Sequence, residues 1–206
     1  MSLYAVELWN QNAFLAINAG AQAPAYAIAV ARVLANGSIY VAVILFLYAW
    51  VRRGRAIRFA LLDAGFGALI GLGIAQGIVA VWYHPRPFEI GLGHQYLAHA
   101  AEASFPSDHA TLLFSLGLAL LIRPATRSLG GGLLFLGGAL AWARVYLGVH
   151  FPLDMLGAFG VALVATWVIG QVEEPLHRRI FPLLLSAYET VLRRLGLPRS
   201  VFPRDL

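Results

Sequence analysis

The chain has 206 residues, 60% of them hydrophobic and 12% charged, with a formal net charge of +5 and no cysteine. Soluble domains carry about 25% charged residues, so this composition excludes a soluble globule and points to an integral membrane protein. Disulfides and thiolate metal sites are excluded with the cysteines. The positive charge is all arginine, in short clusters beside apolar runs, where it acts as a topology signal and not as a nucleic-acid surface.

Leu3 to Asn18 mixes apolar residues with Glu7, Asn10, Gln11, Asn12 and Asn18, and reads as a helix lying in the membrane interface. Apolar segments follow from Ala25 to Val51, Phe59 to Tyr83, Asp108 to Ile122, Leu129 to Leu147 and Pro152 to Val172. These make five spans, or six if the first segment also inserts. The longest non-apolar stretch, His84 to Ser107, separates the second span from the third. Glu173-Glu174-Pro175 closes the fifth span, and His177 to Leu195 carries apolar residues at helical spacing among arginines, the pattern of a second surface helix. The expected fold is an all-α integral membrane bundle in a single membrane-embedded domain, 1–206. It has an interfacial helix in 1–20, a transmembrane core in 24–172 and a cytoplasmic amphipathic helix in 176–196. No basic residue precedes Arg32, which speaks against a cleavable secretory signal.

Charge sets the orientation. The loops after spans one, three and five hold Arg52, Arg53, Arg55, Arg58, Arg123, Arg127, Arg178 and Arg179, whereas those after spans two and four hold only Arg86. The positive-inside rule makes the first group cytoplasmic. Arg86, His109 and His150 are thereby brought to the outer face of the cytoplasmic membrane.

Three constellations sit at that face. In Arg144-Val-Tyr-Leu-Gly-Val-His150-Phe-Pro-Leu-Asp154, Pro152 is suited to open a helix. His150 then lies just before the helix and Asp154 about one turn in, where its carboxylate can hold one imidazole nitrogen and leave the other basic and nucleophilic. Gly148 lets the backbone turn, and Arg144 offers a planar fork that suits a phosphoryl oxygen. The alternative is a buried Arg144–Asp154 ion pair with His150 a bystander. In Ser104-Phe-Pro-Ser-Asp-His109, Pro106 is placed as a first helical residue. The unpaired amides around Ser107, Asp108 and His109 then form an anion-binding helix end, with His109 near a leaving-group oxygen; an ordinary capped helix start is the alternative. In Trp82-Tyr-His-Pro-Arg86-Pro-Phe88, two prolines restrict the backbone of Arg86, though a plain interfacial anchor would look similar.

Together these motifs resemble the type 2 phosphatidic acid phosphatase superfamily, whose pattern is Lys-x6-Arg-Pro, Pro-Ser-Gly-His and Ser-Arg-x5-His-x3-Asp. The match covers Arg86-Pro87, Pro106-Ser107 with His109, and Arg144 with His150 and Asp154. The resemblance implies that Arg86, Ser107 and Arg144 grip a phosphate. It implies also that His109 is the general acid, that His150 forms a phosphohistidine, and that Asp154 orients it, with no metal and no cofactor. Phe-Pro-Ser-Asp-His with His-Pro-Arg-Pro-Phe is similar to the bacitracin-resistance type of undecaprenyl pyrophosphate phosphatase. The implied substrate is a polyprenyl pyrophosphate or, as the alternative, a glycerolipid phosphate such as phosphatidylglycerophosphate or phosphatidate, drawn from the lipid bilayer.

The chain departs from the pattern in three places. Val79 stands at the family lysine, with His84 and Arg32 as candidate replacements for its charge. Ala143 stands at the serine before Arg144. Asp108 stands at the glycine, and its carboxylate is expected to turn away from a bound phosphate, toward His84 or an arginine. Arg32, inside the first span, costs on the order of 2.5–3.5 kcal/mol on insertion scales and is expected to face the bundle, paired with a carboxylate or helix-end carbonyls. Glu102, His94 and His99 read as surface loop residues, since their spacing matches no zinc site. A non-catalytic transporter or assembly subunit is the reading from another class, and the oligomeric state is left open.

Overall fold

The computed structural model describes residues 2–199, 201 and 202, so the limits 1 and 206 of the expected domain lie outside the described residues. Among these, every regular element is helical: α1 (Leu3–Ile17), α2 (Ala25–Arg52), α3 (Arg55–Val81), α4 (Asp108–Leu121), α5 (Arg127–Tyr146), α6 (Pro152–Pro175) and α7 (Phe181–Arg194). Four stretches, those of α2, α3, α5 and α6, are long and apolar enough to cross a membrane. The other expected span, α4, has 14 residues. At ~1.5 Å per residue it rises about 21 Å, short of the ~30 Å hydrocarbon core.

The brevity of α4 goes with its position. It packs against α3, α5 and α6 and buries Ala110, Leu113, Phe114, Leu118 and Leu120 among others, as a helix apolar on most sides does inside a bundle. At its far end α5 comes so close that a Cβ on Gly130 would overlap the backbone of Leu121 and Gly117. By contrast, α2 turns large side chains outward. Tyr26, Val33, Tyr40, Ile44 and Tyr48 are each at least 60% exposed, a surface that belongs against lipid and not water. The protein is an all-helical integral membrane protein.

The first helix is anchored by its polar residues. Asn10, wholly buried, accepts a hydrogen bond from the Leu153 amide at 3.0 Å, and Phe14 meets Phe151 edge-on at 5.4 Å. Asn18 Nδ2 donates to the carbonyls of His94 and Tyr146. At the other terminus the expected break at Pro175 does not occur. α6 runs through Pro175 into a π-turn at Leu176–Ile180 and on into α7. Proline lacks the N–H that would bond four residues back, and a wider turn is a common way for a helix to absorb such a defect. Helix α7 then buries Phe181, Leu185 and Leu192.

Candidate active site

The junction of α5 and α6 places the first group of residues. The Val149 amide donates to the Arg144 carbonyl (3.1 Å) and the Gly148 amide to that of Val145 (3.0 Å), closing α5 in a Schellman turn. Gly148 has φ +81°, and a Cβ there would also run into the His94 carbonyl. The chain next extends through His150 and Phe151, and Pro152 opens α6. Asp154, in the first helical turn, reaches back. Its Oδ2 accepts from the Phe151 amide at 2.8 Å and lies 3.0 Å from His150 Nδ1. With the Nδ1 proton fixed on Asp154, the Nε2 of neutral His150 carries the lone pair. The ion pair of Arg144 with Asp154 does not form. The carboxylate is taken up by His150, the Phe151 amide and Ser104.

The second group stands at the start of α4, two residues later than expected. The Ser107 amide donates to the Asp154 carbonyl at 3.3 Å, which keeps Ser107 in an extended conformation as the N-cap and leaves Pro106 in the loop. The amides of Asp108, His109 and Ala110 open the helix, where no carbonyl of the preceding turn exists to receive them. The buried hydroxyl of Ser107 has no hydrogen-bond partner among the described residues.

Both groups meet around one cavity of about 160 Å³, lined by Arg86, Asp108, His109, Arg144 and His150 together with Gln76, Val79, His99 and Glu102. The two guanidiniums differ sharply. Every donor nitrogen of Arg86 is engaged: Nε with the Glu102 carbonyl, Nη1 with the Val149 carbonyl and His150 Nε2 (3.1 Å), Nη2 with the Ala103 carbonyl and the Glu102 carboxylate. Arg144 is only 2% exposed, yet its guanidinium makes no hydrogen bond or ion pair among the described residues. Only the more distant carboxylates of Asp108 and Glu102 offset its charge, and burying a cation without a hydrogen-bonded partner costs several kcal/mol, so the cavity suits an anion. Burial, reinforced by Arg144 and Arg86, holds His150 well below the ordinary histidine value of 6.5, so the ring is neutral near pH 7.

Other residues lie elsewhere than expected. Arg32 does not face the bundle: it is exposed, and its Nε donates to the Tyr96 carbonyl at 2.9 Å. His84 stands outside the cavity, behind Asp154, with Nδ1 2.8 Å from Ser104 Oγ. Asp108 pairs with neither His84 nor an arginine. Its Oδ2 accepts from Gln76 Nε2 at 2.9 Å, because Gln76 lies one helical turn before Val79 on the same wall of α3. That i, i+3 relation to the lysine position was the available signal for Gln76. His99 lines the cavity and is half-buried; Glu102 also borders it but stays exposed, as a loop residue at the rim, and His94 is exposed. No sequence spacing marks the first two. Arg86 draws them in by gripping the backbone of Glu102 and Ala103. Burial is the largest influence on His99 and lowers it, with Arg86 and Arg144 adding to the effect.

A helical membrane bundle with two buried arginines and two histidines, one of them buried, around a single cavity at one end is the architecture against which known membrane proteins can be compared. Residues 60–177 match the PAP2 superfamily, and the chain belongs to that superfamily. It is 32% identical over 183 residues to the putative undecaprenyl-diphosphatase YbjG of Escherichia coli (strain K12), covering 89% of this chain and 92% of that protein. It is also 32% identical over 152 residues to the undecaprenyl-diphosphatase BcrC of Bacillus subtilis (strain 168), covering 74% and 77%. The crystal structure of Aquifex aeolicus LpxE shares the fold, with a TM-score of 0.66 at 18% identity over 79% of this chain and 95% of that one. So does a PAP2-type phosphatidylglycerolphosphate phosphatase of Bacillus subtilis, with a TM-score of 0.54 at 19% identity, covering 83% and 87%.

Proposed function

We propose that the protein hydrolyses undecaprenyl pyrophosphate to the lipid monophosphate and inorganic phosphate, within one membrane-embedded domain that includes α1 and α7. The observation that carries this reading is Arg144, a buried cation without a protein partner, set in one cavity with His150 and His109. An apolar groove of about 230 Å³ between α2, α3 and α4, lined by Ile39, Phe46, Leu69 and Leu112, supports a hydrocarbon tail on the substrate. The arginine bias of the loops supports a site at the outer face.

In this mechanism Arg144, the Ser107 hydroxyl and the first amides of α4 hold the terminal phosphoryl group. Arg86 Nη1 releases the lone pair of His150 Nε2 and turns to a phosphoryl oxygen. Nε2 attacks phosphorus, the bond to the bridging oxygen breaks, and His109 gives that oxygen a proton. A water then attacks the phosphohistidine, His109 takes its proton, and phosphate departs with His150 restored. The test is phosphate release from undecaprenyl pyrophosphate by the purified protein, with and without orthovanadate. Vanadate-sensitive release in the wild type that vanishes in a folded His150→Ala variant is expected; undiminished release from that variant overturns the mechanism. Glycerolipid phosphates in the same assay decide between substrate classes. Single cysteines placed in the cysteine-free chain near Gly91 and near Arg123 report the face through labelling by a membrane-impermeant maleimide, which should reach only the former in intact cells.

A further inference from the structure

Asp154 presents only one of its oxygens to His150. Oδ1 looks the other way, 3.4 Å from Ser104 Oγ and 4.0 Å from His84 Nδ1. Ser104 Oγ lies 2.8 Å from His84 Nδ1, and His84 Nε2 lies 3.3 Å from Glu7 Oε2. Ser104 and Asp154 are wholly buried, whereas the Glu7 side chain is 37% exposed. A line of polar groups thus runs from the nucleophile to the surface of α1. It leads away from the phosphate cavity, of which neither Glu7, His84 nor Ser104 is a wall. His84, Glu7 and Asp154 instead border a separate space of about 240 Å³ behind the carboxylate. The rings of Trp82 and Phe151 pack on His84 at 5.8 and 5.5 Å and shield it. Glu7 lies outside residues 60–177, the part that matches the superfamily.

We propose that Glu7 and His84 are positioning residues for His150, acting on it through Ser104 and Asp154. This rests on the reading of His150 as the nucleophile. When both His84 nitrogens carry protons, Nε2–H donates to Glu7 and Nδ1–H to Ser104 Oγ. The serine proton is then free to choose between Asp154 Oδ1 and the Pro85 carbonyl at 3.3 Å, and the carboxylate is the stronger acceptor. Asp154 is thereby locked against rotation with Oδ2 on His150. When Nδ1 loses its proton, it accepts from the serine hydroxyl and Asp154 loses that bond. The charged groups around the ring are Glu7 on α1 and Asp154 on α6; Arg86, whose amide donates to Glu89, lies beyond them against His150. The Glu7 carboxylate accepts from Nε2–H and so fixes the orientation of the ring in the locked state.

The test is steady-state kinetics across pH on the full-length wild type and on Glu7→Gln, His84→Gln and the double variant. Loss of the lock is expected to lower kcat by about 10-fold, small beside the loss of a direct acid–base group, with KM unchanged and the double variant no worse than the worse single one. The shape of the kcat–pH profile is expected to change in Glu7→Gln and in His84→Gln, because each removes one hydrogen-bonding partner from the line that ends on Asp154. Asn10→Ala, which loosens α1 at Leu153 without touching a titratable group, should lower thermal stability but leave the shape of the profile. Wild-type kcat and profile in Glu7→Gln overturn the inference, and this partly exposed position decides alone if His84→Gln does not fold. Those results with an inactive His150→Ala sink only this inference; an active His150→Ala sinks the parent reading.

Discussion

The bundle holds two polar clusters, one at each end, built from the same residue types. At the end away from the cavity, Asp63 is 1% exposed, and both its oxygens lie 2.9 Å from His177 Nε2. Arg123 Nη2 bonds Asp63 at 2.5 Å and also Glu173. Each charged group there touches its opposite, and the cluster ties α3, α6 and the π-turn together. At the cavity end, His150 and Asp154 are paired in the same manner, but Arg144 is left alone. Burial of charge is thus common to both, and what separates the two ends is the cation without a hydrogen-bonded partner.

That contrast can be broken by substitution. The largest effect is expected from His150→Ala, a loss of at least about 10⁴-fold in kcat, as for removal of an activated nucleophile or its base elsewhere, read by phosphate release. Next, Arg144→Ala should lower kcat/KM by about 10²–10³-fold, the scale of removing one preorganised donor, while the unfolding temperature stays or rises because no partner is orphaned. Arg123→Ala should do the reverse, costing about 2 kcal/mol of stability because buried Asp63 is left with His177 alone and Glu173 loses its partner, and sparing kcat once folded. A stability loss in Arg144→Ala as large as that in Arg123→Ala would erase the distinction.

The pH dependence sharpens it further. Burial, Arg144 and Arg86 depress His150 below its unfolded value of 6.5. The unfolded chain therefore binds the proton first, and the contribution of this residue to stability is complete above pH 6.5 and lost as pH falls below it. The acid limb of kcat/KM should accordingly lie below pH 6.5, and an Arg86→Gln variant should move it upward. The smallest effect is expected at Asp108. Replacing it with Asn removes a negative charge from the cavity wall and should tighten orthovanadate inhibition by about 3-fold, under 1 kcal/mol.

The four long apolar helices and the three motifs whose residues meet at the cavity were legible because apolar runs and short local spacings record them directly, whereas the expected third span proved to be the short helix α4. Pro152 and Asp154 fix the pose of His150 within one turn of chain, so sequence alone placed that pair. The start of α4 was misread because the amide that ends the loop is claimed by Asp154, 47 positions later. Long-range capture of that kind leaves no local trace, and it also hid His99, Glu102 and the station of His84. Arg32 was misjudged for the opposite reason: α2 lies at the rim of the bundle, where a loop carbonyl satisfies the guanidinium without burial.

The π-turn at Leu176–Ile180 has a consequence for how the last helix meets the rest. One surplus residue in a helix rotates everything beyond it by about 100°, and that rotation aims Phe181 and Leu185 inward, with Phe181 against Phe59 and Phe66. The angular phase of the C-terminal arm is thus set by a single inserted unit, and excising one residue between 176 and 180 would turn its greasy stripe to the wrong side without altering its composition.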